Sequence, residues 1–195
     1  MDRKKFIRGT AGTFSGLFFL KQLVSAHGAL SPHSGQAGTT AAGRLVGDTT
    51  QPIPVQQGSP PLSLDQVKEF VVAGHGNLAK TQAMVKENPN LVFAKYDWGN
   101  GDFEAAIEGA GHVGNREVAE FLIDTGSRVT LFVLTMLGRT ELVKPILEAY
   151  PKLIFAHGPH GFTMLHHAKV GGAAGEELYA YLQEKGQKQD WVKIR

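Results

Sequence analysis

Cysteine is absent from the 195 residues of this chain, which excludes disulfide bonds and thiolate metal sites. An excess of either charge is also lacking, because the formal net charge is +2 at pH 7. Five basic residues against one aspartate place a charge of +4 in the first 26 residues, so the remainder is slightly acidic. A near-neutral body without a basic stripe attracts a phosphate backbone only weakly, so no nucleic-acid partner is expected.

A long apolar run is missing as well. Residues 11–20 form the apolar stretch of the leader, whereas a bilayer-spanning helix needs about 20 apolar residues. The basic start and the small residues Ser25 and Ala26 predict a cleaved signal peptide over residues 1–26. Residues 3–8, RKKFIR, resemble a twin-arginine export signal with lysine for the second arginine. We expect a periplasmic or secreted protein with no membrane span after cleavage.

Two alternatives for the leader stay open. A general secretory (Sec) signal would export the chain equally well, and a basic amphipathic helix that stays attached is the other interpretation. Residues 27–62 are rich in Gly, Ser, Thr, Pro, Gln and Ala without apolar periodicity, which predicts a disordered linker.

From residue 63 onward, four segments share a pattern of apolar residues at helix spacing interrupted by a glycine turn. The predicted helix pairs are 63–74 and 77–88, 105–110 and 117–124, 131–137 and 140–149, and 163–170 and 176–185. Such self-similarity is typical of stacked repeats, in which each unit buries its apolar face against its neighbours. The sequence predicts an all-α domain over residues 63–186, with turns at Gly76, Gly114 and Gly138. It also predicts a polar tail over residues 187–195, in which Trp191 folds back as a cap.

Residues 161–168, GFTMLHHA, are similar to the opening of an ankyrin repeat, GxTPLHxA, with Met164 in place of proline. Residues 114–127, GNREVAEFLIDTGS, resemble its second half. The resemblance implies an ankyrin-like solenoid of about four helix-turn-helix repeats. It also implies that His166 braces turns by hydrogen bonding.

The spacing of the units is irregular. The turn glycines Gly76, Gly114, Gly138 and Gly172 are 38, 24 and 34 residues apart, whereas ankyrin repeats have a period of about 33. The third unit therefore lacks room for a projecting finger loop. Long fingers are expected at residues 93–102 and 155–161.

Ankyrin-like proteins bind partners through finger tips and the concave face, so the resemblance implies a non-catalytic protein-protein interaction scaffold. We expect a monomer without a cofactor that binds another protein. The candidate partner-binding residues are Tyr96, Trp98, Asn100, Glu104, Glu108, His157 and His160. Trp98 is either an aromatic anchor or a side chain packed over the first helices.

Eight histidines could supply zinc ligands, and His157, His160, His166 and His167 lie within eleven positions. His166 and His167 point about 100° apart on a helix, and the other two lie in a Gly-Pro loop. No metal site is therefore predicted.

Glu104 and Glu108 form an i,i+4 carboxylate pair that could share acid-base work, although a solvated polar face is favoured. The alternative function is a small periplasmic metal-dependent or acid-base enzyme that uses His157 and His160 with Glu104 and Glu108. A stabilising partner of a periplasmic enzyme is the third possibility.

Overall fold

The computed structural model describes residues 58–194, which contain eight α-helices and one two-stranded sheet. The predicted signal peptide and the predicted linker up to residue 57 lie outside the described residues. The helices are α1 Leu64–Gly74, α2 Leu78–Glu87, α3 Ala106–Val113, α4 Arg116–Asp124, α5 Leu131–Met136, α6 Thr140–Ala149, α7 Met164–Val170 and α8 Glu176–Glu184. The strands are β1 Tyr96–Asp97 and β2 Phe103–Glu104. The prediction of a mainly helical protein is confirmed.

Short polar side chains begin most of these helices. Ser63 accepts a hydrogen bond from the backbone N–H of Gln66, and the Gln66 side chain accepts one from the Ser63 backbone, which completes the predicted capping box of α1. Asn115, Thr130 and Thr163 cap α4, α5 and α7 in the same way with one side-chain oxygen each. Local chemistry thus sets where each helix begins.

Two of the three predicted turn glycines have a backbone that favours glycine. Gly114 (φ 76°) ends α3, and Gly138 (φ 70°) lies between α5 and α6. Gly76 lies in the turn between α1 and α2 but is not among the glycines with positive φ. At Gly114 the carbonyl oxygen of Val170 would lie only 2.6 Å from an added Cβ, so the close approach of α7 also requires glycine there.

The helices pack as pairs in chain order. The first helices of successive pairs contact one another, α1 with α3, α3 with α5, and α5 with α7. Second helices also contact one another, α2 with α4 and α6 with α8. Helix α3 also contacts α7, two units away. One core cluster spans the first two pairs with part of α5, and a second cluster joins the last two pairs.

A hairpin forms the first predicted finger. Strands β1 and β2 pair antiparallel, and Gly99, Asn100 and Gly101 form the turn, all with positive φ. The second predicted finger contains a short 3₁₀ helix, Pro159–Gly161, just before α7. Because the third unit has no finger, the second finger reaches the hairpin, and the Asp102 carboxylate accepts a hydrogen bond from the His160 backbone N–H (2.9 Å).

The C-terminal tail folds back on the start of α7. Trp191 forms a backbone bridge with Phe162, and its indole N–H donates to the carbonyl oxygen of His160. Within residues 58–194, none of the helices has both the length and the apolar character that crossing a bilayer would require.

Candidate metal centre

Four side chains from separate elements converge at one place beside the first helices α1, α3 and α7. His75 is the C-cap of α1, Glu104 ends β2, His112 lies in the last turn of α3, and His160 belongs to the 3₁₀ helix before α7. One ligand atom from each of the four lies within 4.8 Å of all the others. We call these four residues the His₃Glu cluster.

Four separations within the His₃Glu cluster are close to those of atoms that share a metal ion, whereas the widest extends to 4.8 Å. His112 Nε2 lies 2.8 Å from Glu104 Oε1 and 3.1 Å from His75 Nε2. His75 Nε2 is 3.4 Å from Glu104 Oε1, and His160 Nε2 is 3.3 Å from Glu104 Oε2. Ligand atoms about 2.0–2.2 Å from a metal ion lie roughly 2.8–3.1 Å apart at neighbouring positions of an octahedron and roughly 3.3–3.6 Å apart in a tetrahedron. The cluster can therefore surround one ion with small adjustments.

Hydrogen bonds to the outer ring nitrogens orient two of the imidazoles. His75 Nδ1–H donates to the carbonyl oxygen of Val71 (2.9 Å), and His160 Nδ1–H donates to Asp102 Oδ2 (2.6 Å). In a neutral ring this leaves Nε2 without a proton and able to bind a metal. Carboxylate and backbone carbonyl partners of this kind are usual for metal-binding histidines.

Glu104 lies at the centre of the cluster and is fully buried. The indole N–H of Trp98 donates to its Oε2 (2.9 Å), and among the described residues its ion pairs are all with histidine. Burial raises the pKa of Glu104, but the hydrogen bonds and charge interactions with His112 and His75 outweigh burial and lower the pKa to about 2; the hydrogen bond from His75 requires its doubly protonated ring, because Nδ1–H is already donated to Val71. The hydrogen bond to Glu104 in turn raises the pKa of His75, although burial lowers it. The cluster thus holds a buried anion that requires a positive charge beside it.

His160 is held in a conformation that few residues adopt. Its φ of 58° lies in the left-handed region, which is uncommon outside glycine. Asp102 binds both its backbone N–H and its ring, and Trp191 binds its carbonyl oxygen. Backbone strain that neighbouring groups maintain is frequent at functional sites.

The cluster is open on one side. The side chains of His75 and His160 are 30% and 31% exposed, whereas that of His112 is 8% exposed. A pocket of about 290 Å³ lies at this opening, lined by Val72, Trp98 and the two exposed histidines. A metal ion at the cluster would be reachable by a small molecule from this side.

The structure brings together three of the residues singled out from the sequence, Trp98, Glu104 and His160. Tyr96 adjoins them, with its ring 4.7 Å from that of Trp98 in an edge-to-face contact. Trp98 therefore packs within the site, although it stays 37% exposed.

The other candidates lie elsewhere. His157 is exposed, and Asn100 is exposed in the hairpin turn. Glu108 caps the backbone N–H of Ala105 (2.9 Å) and pairs with Lys95 (2.8 Å). The interpretation of Glu104 and Glu108 as a solvated polar face is wrong, because both side chains are buried.

His75 and His112 were not singled out from the sequence. They are 37 residues apart, nearly the 38-residue spacing of Gly76 and Gly114. Residues in phase in adjacent units lie side by side when the units stack. The matching position of the two histidines in adjacent units was therefore the sequence signal that could have paired them.

His166 Nε2 donates to the carbonyl oxygen of His112 (2.8 Å), which braces α3 against α7.

No protein-family model, curated protein or solved structure matches this chain. Functional inference therefore depends on the site's own geometry. The ankyrin resemblance stays a prediction.

Proposed function

We propose that the protein binds one divalent transition-metal ion through His75, Glu104, His112 and His160. The observation that carries the proposal is the convergence of three imidazole nitrogens and one buried carboxylate within 4.8 Å. Histidine nitrogen and glutamate oxygen are established ligands of zinc and of other first-row transition metals.

A metal ion is the alternative to a protonated His75, whose pKa the hydrogen bond to Glu104 raises. One imidazolium would neutralise Glu104, and buried ion-pair networks are costly to desolvate. When both rings are neutral, the Nδ1–H groups of His75 and His160 are committed to Val71 and Asp102, so both Nε2 lone pairs face the carboxylate and repel it. A cation between these atoms removes that repulsion for all the ligands at once.

The donor set indicates the class of metal. Imidazole ligands suit zinc, iron, copper and nickel, and a carboxylate disfavours the softest ions. Four protein ligands would complete a tetrahedral site, whereas the open side allows a fifth ligand to bind. An ion with an open position can polarise a bound oxygen or lower the pKa of bound water.

The scaffold and the export route belong to the same proposal. The helix pairs would form an ankyrin-like solenoid, which the contacts of each first helix with the next one support. A twin-arginine signal would move the chain across the membrane already folded, with its metal in place. The protein would then act in the periplasm or outside the cell.

Metal analysis of protein purified without a His-tag tests the proposal. After incubation with Zn²⁺ or Fe²⁺ and gel filtration, we expect about one ion per wild-type chain. In the presence of a competing chelator, His160→Ala should retain at least about tenfold less bound metal than wild type. His157→Ala, an exposed histidine three residues away on the same loop, is the matched control and should bind like wild type. Absence of a stoichiometric ion, or equal loss in both variants, would overturn the proposal.

Docking to another protein is the second candidate function. The hairpin favours it, because Phe103 and Trp98 are 51% and 37% exposed. Phe103→Ala should reduce capture of a periplasmic partner while metal content stays unchanged. Equal capture by this variant and wild type would exclude docking through the hairpin.

A further inference from the structure

We propose that the open side of the His₃Glu cluster binds a small carboxylate whose body is apolar, such as an aromatic or medium-chain monocarboxylate. This inference rests on the proposed metal ion, which would bind the carboxylate oxygen. The pocket beside the cluster would hold the apolar body.

The walls of the pocket are apolar. Val72 is 54% exposed and Trp98 is 37% exposed, and both line the opening above the two accessible histidines. Large apolar side chains that are exposed beside a polar binding site provide contact area for the apolar part of a ligand. A volume of about 290 Å³ is at the lower end for ligand pockets, which limits the ligand to a small molecule.

The charge of the opening favours an anion. A divalent ion with three neutral imidazoles and Glu104 would carry one net positive charge. Among the described residues, none that lines the pocket is acidic. Asp102 is engaged by the ring and backbone of His160 and is 13% exposed, so it contributes little at the opening.

Lys68 adds a second positive charge at the rim. It lies on the same face of α1 as Val72 and His75, four and seven residues before them. Its ammonium is 5.6 Å from the Tyr96 ring centre and 5.9 Å from that of Trp98. In the described part of the chain it forms no ion pair, so its charge stays available to attract an anion.

These features together define the ligand. The metal ion takes a carboxylate oxygen, Lys68 raises the positive potential at the entrance, and Val72 with the Trp98 ring contacts the apolar body. A short carboxylate such as acetate would use only the first interaction. A longer one would also bury apolar surface, so it should bind more tightly.

The test uses the Co²⁺-loaded protein, because the visible spectrum of Co²⁺ reports directly on its ligands. Acetate, hexanoate and benzoate are titrated in turn at constant ionic strength. We expect each to change the spectrum, with hexanoate and benzoate binding at least about fivefold more tightly than acetate. Lys68→Ala should weaken all three by a similar factor of about two to five at low salt.

Val72→Ser tests the pocket itself. It should reduce the preference for hexanoate and benzoate over acetate while the Co²⁺ spectrum without ligand stays unchanged. Leu142→Ser is the matched control, because Leu142 is 49% exposed on α6 and does not line the pocket. It should keep the wild-type preference.

The possible failures are distinguishable. If Co²⁺ does not bind, the proposed metal function fails as well. If Co²⁺ binds but no carboxylate changes its spectrum, the ligand inference is overturned while the metal centre stands. Equal affinity for acetate and benzoate, or an unchanged preference in Val72→Ser, would overturn the role of the apolar pocket.

Discussion

At the scale of single residues, Asp102 determines which nitrogen of His160 faces the cluster. Its carboxylate accepts from Nδ1–H, so Nε2 is left to bind a metal. In Asp102→Asn the amide can present N–H toward Nδ1, which would move the ring proton to Nε2 and block the ligand atom. We expect zinc affinity to fall about 10- to 100-fold, as measured by competition with a chromophoric chelator.

Asp97→Asn is the control for that experiment. Asp97 lies on the same hairpin, and its Oδ1 accepts a hydrogen bond from the Gly99 N–H (2.8 Å), which asparagine can also accept. Its affinity should stay within about twofold of wild type. Similar losses in both variants would mean that Asp102 acts only through the stability of the hairpin.

His167 should make stability depend on pH. Burial lowers its pKa from 6.5 to about 4, although the hydrogen bond from Nδ1–H to the carbonyl oxygen of Thr163 opposes this. The unfolded chain therefore takes up a proton at a pH where the folded chain does not. The resulting contribution of His167 to the free energy of unfolding is fully present above pH 6.5 and is lost as the pH falls toward 4. Its size is about 3 kcal/mol.

His167→Asn keeps a donor to Thr163 but does not titrate. Urea unfolding of both proteins with a chelator present, from pH 4.5 to 7.5, measures the difference. Wild type should be the more stable protein at pH 7.5, and the gap should narrow as the pH falls. Stability curves that run parallel across this range would contradict the assignment.

At the scale of elements, a comparison of two turn glycines distinguishes the cost of backbone strain from the cost of a steric clash. Gly114 and Gly172 both have positive φ, 76° and 60°. An added Cβ meets the carbonyl oxygen of Val170 at Gly114 and nothing within 4 Å at Gly172. We expect Gly172→Ala to cost about 1 kcal/mol of unfolding free energy through strain alone. Gly114→Ala should cost about 2–4 kcal/mol, because α3 and α7 must also separate.

Denaturant unfolding of both variants measures these costs. Equal values would show that α3 and α7 do not approach as closely as the structure indicates.

Most helix bounds could be predicted from sequence because their signals are local. The Ser63 capping box begins α1, and α6 follows the predicted turn at Gly138 and ends at Ala149, as predicted. The exception is α3, which was expected to end at Ala110 and continues to Val113. Gly111 did not stop this helix, since it packs against Val133 of α5. The extra turn carries His112 into the cluster.

At the scale of the whole molecule, the cluster depends on how the units stack, which no local pattern encodes. Glu104 and His160 were both candidates, but 56 residues separate them in the sequence. They meet because the third unit has no finger, so the loop before α7 reaches the hairpin. The short spacing between Gly114 and Gly138 predicted that the third unit has no finger, but it did not predict that the loop before α7 would therefore contact the hairpin. The sequence can identify individual candidate ligands, but only the packing of the helices determines which of them come together.

Metal binding should therefore stabilise the whole stack. The four ligands join α1, the hairpin, α3 and the loop before α7, and the unfolded chain holds no such site. At a free metal concentration about 100 times the Kd, the gain is about 2.7 kcal/mol. For a domain of this size we expect Tm to rise by roughly 5–10 °C in Zn²⁺ relative to chelator, as measured by calorimetry.

The variants used for metal analysis decide the origin of that rise. His157→Ala should keep it and His160→Ala should lose most of it. Hydrogen exchange should show greater protection at residues 72–76, 102–113 and 158–162 when metal is bound, with α8 little changed, because α8 contributes no ligand. A Tm rise of equal size in His160→Ala would mean that the ion acts elsewhere, and the His₃Glu cluster would then be an ion-pair network without metal.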